Sequence, residues 1–212
     1  MRQRHKPWAD DFLRDNQHIV IPDAKDYKNK WKSLFGNDRP IHVEIGTGKG
    51  QFITGMAKQF TDINFIGIEI AKSIIVTAAQ KVKESGMENV FLLNEDAQDL
   101  REIFGDNEVE AIYLNFSDPW PKNRHEKRRL TFHTFLSQYQ QVLDEAGELV
   151  LKTDNMGLFE YSLVSFSQFG MRLEEVDLDL HAKQDPANVM TEYEEKFSAK
   201  GQPIYRCRAK FK

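Results

Sequence analysis

A mainly parallel α/β fold, with seven strands, helices on both faces and one late antiparallel strand, is predicted for this chain by three observations. Its strand-like runs are nearly all apolar rather than alternating, as in strands buried on both sides. Segments with a helical apolar stripe stand between them. The chain has 212 residues, of which 40% are hydrophobic and 29% charged, enough for one sizeable core. No linker, repeat or low-complexity stretch divides it. Residues 1–212 are therefore expected to form one domain, with 1–38 as an N-terminal extension and 39–212 as the core.

Residues 1 to about 38 lack clean periodicity and read as irregular or helical. Ile41-His42-Val43-Glu44-Ile45 reads as the first strand, closed by Gly46. Phe52, Ile53, Met56, Ala57 and Phe60 make a helical stripe over 51–60. A second strand covers 65–70. The helix 71–85 turns Ile74, Ile75, Ala78, Ala79 and Val82 inward and stops at Gly86. Val90-Phe91-Leu92-Leu93 is a third strand, and 97–104 a short helix. A fourth strand runs from Ala111 to Phe116. A helix carrying Phe132, Phe135, Leu136, Tyr139, Val142 and Leu143 follows. Residues 148–152 form the fifth strand and 158–169 a further helix. Two late strands, 173–180 and 204–211, are expected with a polar loop rather than a clear helix between them.

Composition narrows the function classes. No apolar run is long enough to span a bilayer. The basic start, Met1 to Lys6, is not followed by the apolar segment of a secretory signal. Cys207 is the only cysteine, so no internal disulfide or cysteine-based metal site is possible. Its place in the last strand suits a small buried hydrophobe. The six histidines show no metal-ligand spacing, and no metal is assigned. A reducing cytoplasm is the expected setting. Charge is slightly acidic overall, with 29 Lys+Arg against 33 Asp+Glu, but unevenly spread. Lys122, Arg124, Lys127, Arg128 and Arg129 crowd into eight residues against Glu126 alone. Such a run can be merely a solvated face. Beside a turn that carries chemistry it suits phosphate contact.

Two regions carry the chemistry. The first is strand, Gly46-Thr47-Gly48-Lys49-Gly50, helix. Glycines allow a sharp bend and close approach to a ligand. The spacing is neither the dinucleotide GxGxxG nor a P-loop, since Lys49 lacks a following Ser or Thr. A plain tight turn is the competing reading. Glu44, Glu69 and Asp96 strengthen the ligand reading, because all three fall near the carboxyl ends of strands, where open α/β sheets bind ligands. Glu69 is placed to accept from ribose hydroxyls, and Asp96 to meet an adenine edge. Each alone suits a helix cap, Asp96 most of all. Acidic Glu44 near the loop would repel a pyrophosphate but suit a cationic amino group. That favours S-adenosylmethionine over NAD.

The second region is Leu114-Asn115-Phe116-Ser117-Asp118-Pro119-Trp120-Pro121. Its two prolines hold a carboxylate and an aromatic ring in a stiff turn beside the basic run. A base-modifying enzyme needs this combination: a grip on a flat base, and cations for the phosphates around it.

These residues resemble a known family. The 44–50 loop, Gly67-Ile68-Glu69, the 115–122 segment, Arg124-His125 with Lys127-Arg128-Arg129, Thr191-Glu192-Tyr193-Glu194 and the Arg4-to-Trp8 start are similar to those of the bacterial tRNA (guanine-N7-)-methyltransferases. The likeness runs nearly end to end. The FSDPWPK segment is highly specific, whereas the glycine loop is shared by many methyltransferases. The resemblance implies a class I S-adenosylmethionine-dependent methyltransferase (Rossmann-like) fold. It implies methyl transfer to N7 of a guanosine in the tRNA variable loop, by a cytoplasmic monomer or homodimer with tRNA as partner. It carries Glu44, Gly46, Gly48, Gly50, Glu69, Asp96 and Asp118 to the cofactor site, with Asp118 also catalytic. Lys122, Asp154, Thr191, Glu192, Tyr193 and Glu194 go to the substrate. Arg124, His125, Glu126, Lys127, Arg128 and Arg129 go to RNA contact.

Chemistry fits these roles and limits them. Guanine N7 has a free lone pair and no proton to lose, so no general base is required. A carboxylate at Asp118 can stabilise the positive charge that develops on the purine. Holding the reactants in line is the larger contribution. Asp154 and Glu192 or Glu194 can accept from guanine N1–H and the exocyclic amine. Competing readings remain at several positions. Trp120 suits base stacking and turn packing equally. Asp154 suits an N-cap, and Thr191 with Glu194 a capping box. A nicotinamide oxidoreductase is disfavoured by the GxGxG spacing, and a non-catalytic RNA-binding module by the intact cofactor set.

Overall fold

The computed structural model describes residues 6–212, so Arg2, Arg4 and His5 of the basic start lie outside the described residues. Seven strands form one sheet: β1 (Ile41–Ile45), β2 (Asn64–Ile68), β3 (Val90–Leu93), β4 (Val109–Asn115), β5 (Leu143–Thr153), β6 (Arg172–Asp177) and β7 (Tyr205–Lys210). Their order is β3-β2-β1-β4-β5-β7-β6. The pairs among β1 to β5 are parallel. Strand β7 alone runs against its neighbours, pairing antiparallel with β5 and β6. The order reverses between β1 and β4, so the chain leaves both strands at a topological switch point, where such sheets bind ligands.

The strands are apolar because both faces are covered. Val43, Ile66, Ile112, Leu114 and Leu151 turn one way, against Trp31, Phe104, Leu136, Tyr139 and Phe166. These belong to α2 (Trp31–Phe35), α5 (His133–Val142), α6 (Met156–Phe169) and the loop after β3. Phe65, Leu92, Ala111 and Tyr113 turn the other way. They meet α3 (Gln51–Gln59) and α4 (Lys72–Ser85) through Phe52, Ile53, Met56, Ile75, Ala78 and Ala79. By the two-residue alternation of a strand, His42 and Glu44 share this second face.

Residues 19–31 of the N-terminal extension pack into the core. After α1 (Ala9–Asp15), Ile19, Val20 and Ile21 are buried, and Val20 bridges to Leu92. The Ile21 amide donates to Leu92 O at 2.9 Å, and the Leu92 amide to Ile19 O at 2.8 Å. The exposed edge of β3 is thereby paired, which removes a site for adventitious strand addition. Trp31 is fully buried, and its indole N–H donates to Ile103 O at 3.0 Å.

Other departures have local causes. Only a 3-10 turn, Leu100–Glu102, forms where a helix over 97–104 is expected, because Asp99 caps it late by accepting from the Arg101 amide. The fourth strand ends at Asn115, one residue early, since Phe116 takes a left-handed conformation with φ of 52°. The fifth strand is longer than expected and starts at Leu143, with a register shift between Val109 and Ala111 of its partner. Where a polar loop is expected between the last strands, α7 (Glu192–Ser198) forms. Its buried contact is the carboxylate of Glu194 rather than an apolar stripe, so periodicity cannot reveal it. Cys207 is buried as expected, and burial pushes its thiol up to about 12.

Candidate active site

The glycine loop leaves β1 with Gly46, Gly48 and Gly50 all left-handed, at φ of 78°, 59° and 83°. Amides of Gly46 and Thr47 both donate to Ile68 O, which pins the turn to β2. Gly50 is required for packing as well as for φ. A Cβ there would lie 2.7 Å from Ala78 Cβ on α4. The glycine thus sets how closely α3 approaches α4.

Glu69, half-buried, accepts from the Gly48 amide at 3.1 Å and from the Ala71 amide at 2.8 Å. Each carboxylate oxygen keeps acceptor capacity beyond these bonds. Asp96 accepts from Gln98 Nε2 at 2.9 Å and caps no helix, so the competing reading of that residue falls away. Gly46, Glu69, Asp96, Ala97, Trp120 and Arg128 line one cavity of about 560 Å³. Its acceptors and apolar walls fit an adenosine whose hydroxyls and adenine edge need carboxylate partners.

Glu44 sits beneath this cavity rather than in its wall. It is 2% exposed, and its oxygens accept from Thr47 Oγ1 at 2.6 Å and Asn115 Nδ2 at 2.8 Å. Burial raises its carboxyl from 4.5 to about 7, against the lowering effect of those two bonds and of Lys152. A cation brought to the loop would draw this group into its charged form.

Segment 116–120 lines two cavities. Trp120 faces the first. Phe116, Asp118, Asp154, Tyr193 and Gln202 line a second, of about 280 Å³. Asp118 therefore joins the second group rather than the wall of the first. Both ends of the segment are non-glycine residues at positive φ, Phe116 at 52° and Trp120 at 40°. Such backbone costs of order 1 kcal/mol per residue and persists where surrounding contacts over-determine it. Here the Phe116 amide donates to Lys152 O at 2.8 Å, and the Phe116 ring lies 5.0 Å from that of Tyr193. The carbonyl of Trp120 accepts from Arg129 Nη2 at 3.1 Å.

Asp154 does not cap α6, because Asn155 does so by accepting from the Leu158 amide at 2.8 Å. Instead Asp154 Oδ2 accepts from Tyr193 Oη at 3.0 Å and Gln202 Nε2 at 2.8 Å. Burial, then the hydrogen bond to Asp154 and its charge, raises the Tyr193 phenol and keeps it a donor.

The rest of the 191–194 segment is occupied within the fold. Thr191 caps α7 by accepting from the Glu194 amide at 3.0 Å. Glu192 pairs with Lys81 Nζ at 2.5 Å. Glu194 is fully buried and accepts from Lys152 Nζ at 2.6 Å and Asn188 Nδ2 at 2.8 Å. Of the four, Tyr193 alone lines the second cavity. Lys152, a strand residue that pattern reasoning passes over, is the hub: it also donates to Val189 O at 2.9 Å and Asn188 Oδ1 at 3.2 Å.

The basic run folds as a 3-10 helix, Asn123–Arg128, preceded by exposed Lys122. Arg124, Lys127 and Arg128 are exposed, while His125, Glu126 and Arg129 are half-buried. The Arg128 guanidinium stacks 4.8 Å from the Trp120 ring centre, and His125 meets that ring edge-on at 5.7 Å. Trp120 is thus both a packing centre for this turn and a wall of the first cavity. Arg129 lies over Tyr161 at 4.2 Å. Among the described residues no His, Cys, Asp and Glu cluster suits a metal ion, and no helix is long and apolar enough to cross a membrane.

Comparison with known proteins bears on the whole chain. Residues 38–207 match the model of a family described as putative methyltransferases. A tRNA (guanine-N(7)-)-methyltransferase of Oceanobacillus iheyensis is 68% identical over 211 residues, covering 100% of this chain and 99% of the relative. One of Bacillus subtilis is 62% identical over 212 residues, covering all of both. Among solved structures, the 16S rRNA methyltransferase KamB superposes with a TM-score of 0.66 at 12% identity, covering 85% of this chain and 91% of that one. A SAM-dependent methyltransferase from Aquifex aeolicus gives 0.56 at 15%, covering 97% and 98%. The solved structures support the class I Rossmann-like methyltransferase fold, and no more than the fold.

Proposed function

The chain belongs to the tRNA (guanine-N(7)-)-methyltransferase family, and on that premise we propose how its residues divide the transfer of a methyl group from S-adenosylmethionine to N7 of a guanosine in the tRNA variable loop. The whole chain, as one domain, acts as a cytoplasmic enzyme, monomer or homodimer. The reading rests on one observation: two cavities share segment 116–120, one lined by Glu69 and Asp96, the other by Asp118 and Asp154, with the basic run alongside.

S-adenosylmethionine supplies the electrophilic sulfonium methyl. Glu69 accepts from ribose hydroxyls and Asp96 from the adenine edge. Gly46, Gly48 and Gly50 let the backbone approach closely, while Glu44 supplies negative charge beneath the loop. Tyr193 and Asp154 hold the base in the second cavity, so that N7 points across segment 116–120 toward the first. The lone pair of N7 would attack that methyl directly while the S–CH3 bond breaks and its electron pair returns to sulfur, leaving a neutral thioether, and no proton need leave. The purine gains positive charge as the bond forms. Asp118, in the middle of the stiff turn, stabilises that charge through fixed electrostatics. Lys122, Arg124, Lys127 and Arg128 neutralise phosphates on either side of the target. Thr191, Glu192 and Glu194 act through the placement of Tyr193 rather than by touching the base.

The test is to incubate the protein with labelled S-adenosylmethionine and unmodified tRNA and to identify the labelled nucleoside after digestion. The expected product is 7-methylguanosine, lost when the variable-loop guanosine is replaced. Asp118→Ala should remove most turnover while tRNA affinity stays near wild type. Cofactor binding without transfer to any tRNA would overturn the assignment of the second cavity.

A further inference from the structure

The second cavity holds a group that no motif assigns, Gln202, just beyond α7. Its amide N–H donates to Phe197 O at 3.2 Å, which ties the residue to the end of that helix. Its side-chain Nε2 donates to Asp154 Oδ2 at 2.8 Å. This bond fixes which way the carboxamide faces. An ionised carboxylate only accepts, so the NH₂ end must point at Asp154 and the carbonyl end away from it. Turning the amide over would set two acceptors against each other. Tyr193 Oη donates to the same Asp154 oxygen at 3.0 Å, so that oxygen is held by two donors. Among the described residues, Asp154 Oδ1 and Gln202 Oε1 accept no hydrogen bond from the protein, and both residues line the cavity.

Two neighbouring acceptors with fixed orientation match one purine edge. Guanine presents two adjacent donors, N1–H and the exocyclic amine. Adenine presents an acceptor and a C–H at the same positions. Resting on the assignment of this cavity as the base pocket, we propose that Gln202 is a specificity-determining residue: its Oε1 accepts from the guanine exocyclic amine while Asp154 Oδ1 accepts from N1–H. The carboxylate thereby does two things: it binds the base, and it holds the glutamine carbonyl in the orientation that rejects other purines.

Inosine isolates the contact, because it keeps N7 and N1–H and lacks only the exocyclic amine. The experiment compares kcat/KM for tRNA carrying guanosine or inosine at the target position, with wild type, Gln202→Ala, Gln202→Glu and Asp154→Asn. Wild type should favour guanosine by roughly tenfold, the size of one lost neutral hydrogen bond in a partly wet site. Gln202→Ala should bring guanosine down to the inosine rate, a ratio near one, with an unchanged melting temperature because the backbone bond to Phe197 remains. Gln202→Glu keeps an acceptor and places two carboxylates together, so its ratio should survive while its activity shifts to a different pH range. A wild-type ratio in Gln202→Ala overturns the proposal. If Asp154→Asn has by then lost turnover on both substrates, the base-pocket assignment stands without it. If Asp154→Asn instead keeps full turnover, the assignment itself fails and the proposal with it.

Discussion

Removing the Glu194 carboxylate should unfold this protein earlier rather than weaken its hold on RNA. Lys152 is 2% exposed and Glu194 fully buried, and their charged atoms are 2.6 Å apart. Desolvation lowers the lysine pKa, and Glu194 is the foremost influence opposing that. In Glu194→Ala the ammonium keeps the Val189 carbonyl, the Asn188 amide oxygen and the face of the Phe52 ring as partners, none of them charged. Breaking a buried pair from one side costs about 3–5 kcal/mol, because the surviving charge stays buried without compensation. In a chain of this length each 1 kcal/mol moves the midpoint by roughly 2–4 °C. The expected drop is therefore roughly 6–20 °C.

The assay is thermal and urea unfolding followed by circular dichroism, beside tRNA affinity measured below the new midpoint. The double variant Lys152→Met with Glu194→Leu should recover much of the loss, since apolar replacement of a buried pair is often neutral. A midpoint within about 2 °C of wild type, with tRNA affinity lost, would refute the reasoning and return Glu194 to the substrate.

Glu44 gives a pH signature. Its carboxyl rises from 4.5 to about 7 in the fold, so the fold gains relative stability below about pH 4.5 and loses it as pH climbs through 7. Glu44→Gln should flatten that fall and add up to about 3 kcal/mol at pH 8 by the 1.36 kcal/mol-per-unit conversion, while weakening cofactor binding in calorimetry; a wild-type slope of stability against pH would count against it. Gly50→Ala should cost about 2 kcal/mol or more, combining a left-handed alanine with a Cβ 2.7 Å from Ala78 Cβ, read as a fall in the urea midpoint without a change in slope. Lys127→Ala with Arg124→Ala removes two exposed cations, of which Arg124 bonds only to the neighbouring His125 ring among the described contacts, so the slope of log K against log salt for tRNA should shrink by about 1–2; an unchanged slope moves the RNA surface elsewhere.

The sheet was legible in the sequence because burial on both faces leaves an apolar run, and a run such as Ile41 to Ile45 admits few other readings. Helices α3 and α4 were legible for the same reason, in the 3.6-residue period of Phe52, Met56, Ile75 and Ala79. Helix α7 was not, since its inward contact is a carboxylate whose partner, Lys152, lies 42 positions away. Pattern reasoning weighs a lysine and a glutamate as solvent-facing, and only tertiary contact makes them a core pair. The extension escaped in another way: Ile19 to Ile21 are buried in irregular chain and Trp31 at the start of a five-residue helix, too short a span for a period to show. The glycine loop and the Asp118 turn stood out by residue type, but their relation did not. Nothing in the motif indicates that Asp118 turns toward Asp154 while Trp120 turns toward Glu69.

That division depends on the two strained residues. Phe116 ends the strand by reversing its φ, which frees Asp118 from the sheet face that Asn115 still occupies beside Glu44. Trp120 reverses φ again and carries its ring back over the cofactor cavity. Neither reversal is favourable alone, and each is held from outside the segment, by Lys152 O at one end and Arg129 at the other. Lys152 therefore serves the second cavity twice. Its side chain anchors α7, which carries Tyr193, and its carbonyl anchors the turn that carries Asp118. A loss of the Lys152 side chain should disturb base placement through α7, whereas a loss at Gln202 should disturb only the choice of base.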